Sequence, residues 1–113
     1  MIDDPAAYFW KFGEFHDACL KSFRWDCDGW VIETAIDDYL AAIDEDNVPD
    51  DVQGSLTFRG VANLSGAFDD SNLRISEFSV ARNEANWRAK LILKSGATLG
   101  WSFESVAEAE QRT

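Results

Sequence analysis

Residues 21–34 impose the tightest constraint in the chain. Lys21, Phe23, Trp25 and Cys27 share one face of an alternating run, which meets Asp28-Gly29 and resumes at Trp30. Alternation at period two is the pattern of a half-buried strand, and Asp-Gly is a strong two-residue hairpin signal. With that loop, Cys27 falls opposite Trp30, Trp25 opposite Ile32, and Phe23 opposite Thr34, all on one face. A slip of one residue would turn the apolar set toward water, so pattern and turn specify the same register. Arg24 then faces Glu33 on the other side.

The remaining segments fit around this hairpin. Asp4 is the expected N-cap and Pro5 the first residue of a short helix that stops near Gly13, with Tyr8, Phe9 and Phe12 on its sheet-facing side. Downstream, Leu56 and Phe58 alternate with Thr57 and Arg59, and Gly60 marks a bulge or a close backbone approach. Alternation through Leu73 and Ile75 slips by one before Phe78 and Val80, which a bulge near Ser76-Glu77 repairs. A three-residue loop, Ser95-Gly96-Ala97, would close a last hairpin, pairing Leu93 with Leu99, Leu91 with Trp101 and Ala89 with Phe103. Ser105 and Glu108 have the spacing of a capping box for a short terminal helix. Residues 37–51 read either as a helical turn through Tyr39, Leu40 and Ile43 or as a strand end followed by an acidic loop.

The expected architecture is an α+β single domain spanning residues 1–113. It is mainly an antiparallel, meander-like sheet of about six strands, with short N- and C-terminal helices. The chain's 113 residues suit one core, and eight Phe, five Trp and two Tyr exclude wholesale disorder. The acidic start Met1-Ile2-Asp3-Asp4 lacks the basic region of a signal peptide, and no apolar run has the length of a membrane span. The expected location is the cytoplasm, without membrane contact. Cys19 and Cys27, eight residues apart in one strand, would be separated by roughly 26 Å, far beyond disulfide reach.

Charge is unevenly divided. The net charge is −11, which disfavours nucleic acid as a partner. Residues 1–58 carry fourteen acidic and three basic side chains, whereas residues 59–103 carry four acidic and six basic. Ten carboxylates and no cation lie between Arg24 and Arg59. Within this stretch, Asp37, Asp38, Asp44, Glu45, Asp46, Asp50 and Asp51 are the candidate residues for a basic protein partner, through complementary potential. Arg88, Lys90 and Lys94 form a locally positive stripe on one strand.

Motifs for chemistry are weak by comparison. An EF-hand read from Asp44 places Val48, Pro49 and Ser55 at positions that demand a ligand, a glycine and a glutamate. His16 would point away from both cysteines if its strand began near Phe15, so no zinc set forms. No phosphate loop occurs, and Gly100-Trp101-Ser102 lacks the context of a nucleophile elbow. No catalytic residue, metal or cofactor is therefore assigned. Trp10 and Trp30 are the tryptophans expected to be partly exposed.

Phe15-His16-Asp17-Ala18, the alternating strand with Asp28-Gly29, and Phe58-Arg59-Gly60-Val61 together resemble a recurrent pattern. It is that of small bacterial domains of unknown function, some classed as immunity proteins of polymorphic toxin systems. The resemblance spans about half the chain and implies partner binding without carrying over a catalytic residue. Three functional readings stand at this point. The first is a non-catalytic, acidic protein-binding module. The second is a small enzyme or ligand-binding domain whose pocket lies between the sheet and the N-terminal helix, holding His16, Asp17 and Trp10. The third is a homodimer joined by edge strands.

Overall fold

The computed structural model describes residues 2–26, 28, 30–37, 52–69 and 71–112, with the backbone alone at 52 and 109–112. A helix, α1 (Pro5–Lys11), is followed by a 3₁₀ turn, Gly13–Phe15, and by eight strands among the described residues. These are β1 (Cys19–Asp26), β2 (Val31–Asp37), β3 (Val52–Arg59), β4 (Ala62–Gly66), β5 (Ile75–Asn83), β6 (Asn86–Leu93), β7 (Thr98–Phe103) and β8 (Ser105–Arg112). They form two antiparallel sheets, ordered β1-β2-β3-β8 and β4-β7-β6-β5. The mainly antiparallel expectation therefore holds, but with eight strands in two sheets instead of about six in one meander-like sheet, because β3 and β7 each turn a corner from one sheet into the other.

The two additional strands are β4 and β8. Ser105–Arg112 is a strand, where the capping-box spacing suggests a helix. It pairs with β3 along its whole length, and Val106 is buried opposite Phe58. Ala, Glu and Gln favour helix by only a few tenths of a kcal/mol per residue, so a full backbone ladder and a buried valine outweigh them. Ile2 donates its N–H to the Val106 carbonyl at 2.9 Å, so the chain start caps this edge.

Two corners join the sheets. β3 runs into β4 through Gly60 while β7 runs into β8 through Glu104, so both passages bend together. The Glu104 N–H donates to the Arg59 carbonyl at 2.9 Å across the bend. Gly60 has φ +68°, a left-handed conformation that favours glycine, and a Cβ there would have to push aside the Glu104 side chain. On the opposite side, a bridge between Cys19 and Arg74 ties β1 to the start of β5. The Leu20 N–H to Leu73 carbonyl bond (2.9 Å) and the Ile75 N–H to Ala18 carbonyl bond (2.8 Å) extend it.

Registers follow the apolar alternation. Trp25 pairs with Ile32, Phe23 with Thr34 and Arg24 with Glu33, as the hairpin pattern requires; Cys27 lies outside the described residues. The ladder of β5 shifts between Ile75 and Glu77, which places the expected bulge at Ser76. The last hairpin differs: Leu91 pairs with Leu99, Ala89 with Trp101 and Trp87 with Phe103. The loop has three residues but is Lys94-Ser95-Gly96, because Gly96 (φ +99°) takes the third, left-handed position that such loops favour. A shift of two residues keeps every side chain on its face, so hydrophobic alternation alone does not distinguish the two registers.

Between the sheets lies an aromatic core. Phe58 of β3 lies 5.2 Å from Trp101 and 4.9 Å from Phe103, centroid to centroid, both edge-to-face. Phe78 of β5 lies 6.0 Å from the same ring, and Phe9 of α1 6.4 Å. Asp4 caps α1 by accepting from the Ala7 N–H at 3.1 Å, and Phe9, Phe12 and Phe15 descend into the core. The Trp101 Nε1–H has no acceptor among the described residues and is enclosed by rings, a desolvation cost of about 1–3 kcal/mol that its packing offsets. No helix of the described residues is long and apolar enough to cross a membrane.

Phe58→Ala should lower unfolding stability by about 3–5 kcal/mol, the usual cost of deleting a fully buried aromatic ring. Urea unfolding monitored by tryptophan fluorescence tests this. A loss under about 1 kcal/mol would mean that the core closes around the gap.

Candidate functional site

The two groups of candidate residues meet at one end of the first sheet. Asp37 ends β2 and lies opposite Cys19, the first residue of β1. It is half-buried, with its carboxylate 3.5 Å from Lys21 Nζ. Asp38, Asp44, Glu45, Asp46, Asp50 and Asp51 lie outside the described residues. The segment containing them leaves from β2 and returns into its neighbour β3, whose pairing reaches Ile36 opposite Gly54.

His16 and Asp17 immediately precede β1. A strand that began near Phe15 would point the two side chains apart, but β1 begins only at Cys19. The 3₁₀ turn ends at Phe15, and Asp17 adopts φ +68°, so the pair forms a turn. His16 Nε2 comes to 3.6 Å from Asp17 Oδ2, while Nδ1–H donates to the Ser76 carbonyl at 2.9 Å. Lys94 hydrogen-bonds the Asp17 carboxylate, and Arg74 Nη1 donates to the Asp17 carbonyl at 2.7 Å. This turn therefore clips β1 to β5 and to the β6–β7 loop.

Backbone strain concentrates in the same place. Gly13, Glu14, Phe15 and Asp17 all have positive φ, a conformation uncommon for a bulky residue such as Phe15. Burying that ring completely, at 5.6 Å from Phe12 and 5.4 Å from Phe9, over-determines the conformation. The space between α1 and the sheet, where the sequence places a pocket, is filled by Phe9, Phe12, Phe15 and Phe78. His16 and Asp17 are exposed on the surface, and Trp10 faces solvent with 77% of its surface accessible. Among the described residues, no cavity brings these three side chains together.

The positive stripe is also altered by its surroundings. Lys94 is held by Asp17, and Lys90 lies 3.8 Å from Glu77. Arg88 is half-buried and bonded to the Asn63 carbonyl, Ser65 and Ser102. Two of the three cations are thus matched by carboxylates. Among the described residues, no group of three His, Cys, Asp or Glu side chains is arranged to hold a metal.

Exposed aromatics were only partly anticipated. Trp30 is 59% exposed beside the hairpin turn, as expected, but Trp25 and Phe68 are also open. Phe23 packs against Trp101 and lies 6.2 Å from Phe68. Trp25, two residues farther along the same strand face, is left partly uncovered. Alternation marks Trp25 as inward-facing; only the extent of the opposing sheet determines that it is not fully covered.

Two carboxyls here have displaced titrations. The hydrogen bond from Lys94, with the nearby His16 and Arg74, holds Asp17 below its usual 3.8. Burial, reinforced by Glu77 and opposed by Lys90, raises Glu14 above 4.5. A depressed carboxyl contributes stability above its unfolded value and loses it as pH falls through its folded value. A raised carboxyl has the opposite sign, lowering stability as pH rises past its unfolded value. Asp17→Asn should therefore lower the melting temperature at about pH 7, with the difference shrinking below the ordinary Asp value, and Asn accepts the left-handed backbone. Glu14→Gln should raise the melting temperature at about pH 7 and have little effect near pH 4. Melting curves across pH test both signs.

No family model matches the chain, and no curated protein matches it. The solved structure of an uncharacterized protein from Neisseria gonorrhoeae is similar to it, with a TM-score of 0.54 and 14% sequence identity. The match covers 83% of this chain and 91% of that one, and at this identity it shows a shared fold alone.

Proposed function

We propose that the protein is a non-catalytic binding module that takes a basic protein partner on its acidic surface and acts in the cytoplasm. The observation that carries this reading is the disposition of charge. Lys21, Arg24, Lys90 and Lys94 each lie within 4 Å of a carboxylate of the same chain, so these cations project little free positive charge. Each pair also occupies one carboxylate, so the surplus of eleven negative charges remains, and it is densest between Asp26 and Asp51, where ten carboxylates occur without a basic residue. Such a field accelerates and selects encounters with a positively charged surface. Exposed Trp30 and Trp25, at the far end of the same hairpin, supply the aromatic anchors common in protein interfaces.

The resemblance to immunity proteins supports the same reading, since such proteins act by engaging a partner. On this basis the partner-binding residues are Asp37, Asp38, Asp44, Glu45, Asp46, Asp50 and Asp51.

The product of the adjoining gene, purified, provides a direct test. Association should weaken by about tenfold or more as salt rises from about 0.05 to 0.5 M, because exposed charges are screened. Replacing Asp44, Glu45 and Asp46 by their amides should slow association by a comparable factor. Absence of binding, or binding indifferent to both changes, would overturn the proposal.

A further inference from the structure

The outer face of the β4-β7-β6-β5 sheet contains a hollow of about 340 Å³, bordered by Ser65, Arg88, Lys90, Thr98 and Gly100. That volume is within the range of small-molecule sites, about 300–1,000 Å³. It arises from register. Arg88 and Lys90 lie two residues apart on one face of β6, opposite Ser102 and Gly100 of β7. Ser65 of β4 lies across from Gly100 on the other side. Small side chains on β7 and β4 leave the sheet backbone bare beside two cations.

Arg88 is the centre of the site. Its Nη1 donates to the Asn63 carbonyl at 2.9 Å and to Ser102 Oγ at 3.5 Å, and Nη2 donates to Ser65 Oγ at 3.3 Å. All three acceptors are neutral. In a chain with twenty-one carboxylates, this half-buried guanidinium has no acidic partner among the described residues. A guanidinium has five N–H donors. Nε–H and one Nη2–H therefore remain without a protein acceptor among the described residues, and neighbouring donors of this kind match the two oxygens of a carboxylate or phosphate. Gly100 is part of the arrangement, because a Cβ there would sit 2.9 Å from Nη2. Lys90 stands at the rim, with its charge shared with Glu77 at 3.8 Å, so Arg88 supplies the site's unmatched charge.

We infer that this hollow binds a small ligand bearing an oxyanion, a carboxylate or a phosphate, with Arg88 as the bidentate donor. The site lies on the opposite sheet from the proposed partner surface and does not depend on that reading. Local placement overcomes the global charge, since a guanidinium in direct contact with the ligand outweighs solvent-screened carboxylates that do not touch it.

Titration of ¹⁵N-labelled protein with inorganic phosphate and, separately, acetate tests the inference, with chloride at matched ionic strength as control. At least one oxyanion should give saturable shifts at the Gly100 amide and Arg88 Nε–H, with a millimolar Kd. The arm that saturates at lower concentration identifies the preferred oxyanion. Arg88→Gln should weaken binding by at least about tenfold, the equivalent of a charged hydrogen bond. Gly100→Ala, which pushes aside only the flexible end of Arg88, should weaken binding while leaving the melting curve close to wild type. Should Arg88→Gln fail to fold, Gly100→Ala decides alone. Shifts that track chloride, or saturation that survives these substitutions unchanged, would overturn the inference.

Discussion

Contact between one aromatic ring and three layers of structure holds this fold together. Phe58 meets Trp101 and Phe103 across the sheets, Phe78 beside them and Phe9 from the helix above. Each pair is worth only about 0.5–1.5 kcal/mol beyond its buried area, but they share one ring and fail together when it is removed. Phe58 also lies two residues before the corner at Gly60, so the packing that anchors it sets where β3 leaves one sheet and β4 enters the other. The Glu104 corner follows because β8 and β7 are paired with these strands. Sheet order, edge strands and outer faces all depend on this point.

Edges and faces then divide the surface into two chemical regimes. One end of the β1–β2 hairpin carries Asp37, the root of the acidic segment, and the other end carries the exposed tryptophans. The outer face of the second sheet carries Arg88 and Lys90 over bare backbone. The strained turn at residues 13–17 lies between the regimes, clipping β1 to β5 through Asp17, Arg74 and Lys94. His16-Asp17 has the composition of a reactive pair, yet its partners are a backbone carbonyl and a lysine, which suits a clamp. A net charge of −11 therefore describes the whole chain poorly, since local pairing decides which charges a partner encounters.

Legibility in the sequence varied with the kind of information each element required. The Asp28-Gly29 hairpin was readable because the turn residues and two alternating strands all lie within fourteen positions. The bulge at Ser76 was readable for the same reason, as a slip in a local pattern. The last hairpin was half-readable: loop length and faces emerged, but a register shift of two leaves faces unchanged. The terminal helix was misread because Ser105-Val106-Ala107-Glu108 satisfies a local rule, whereas its actual partner, β3, lies almost fifty residues away. At the candidate sites, acidic clustering was visible in the sequence. The turn geometry of His16-Asp17, the carboxylate pairing of the basic stripe and the hollow over Gly100 were not.

By itself, the sequence determined the antiparallel β class, the hairpin register at residues 23–34, the helix cap at Asp4 and the concentration of carboxylates in the first half. All are properties of neighbours along the chain: side-chain alternation, turn chemistry, capping and charge. Only the tertiary structure decided that 105–112 joins β3, that aromatic rings fill the space beneath α1, and that Lys94 matches Asp17. It also decided that Arg88 stands without a carboxylate beside an open hollow. These depend on contacts between distant residues, whose energies are set by burial and geometry that local sequence does not contain.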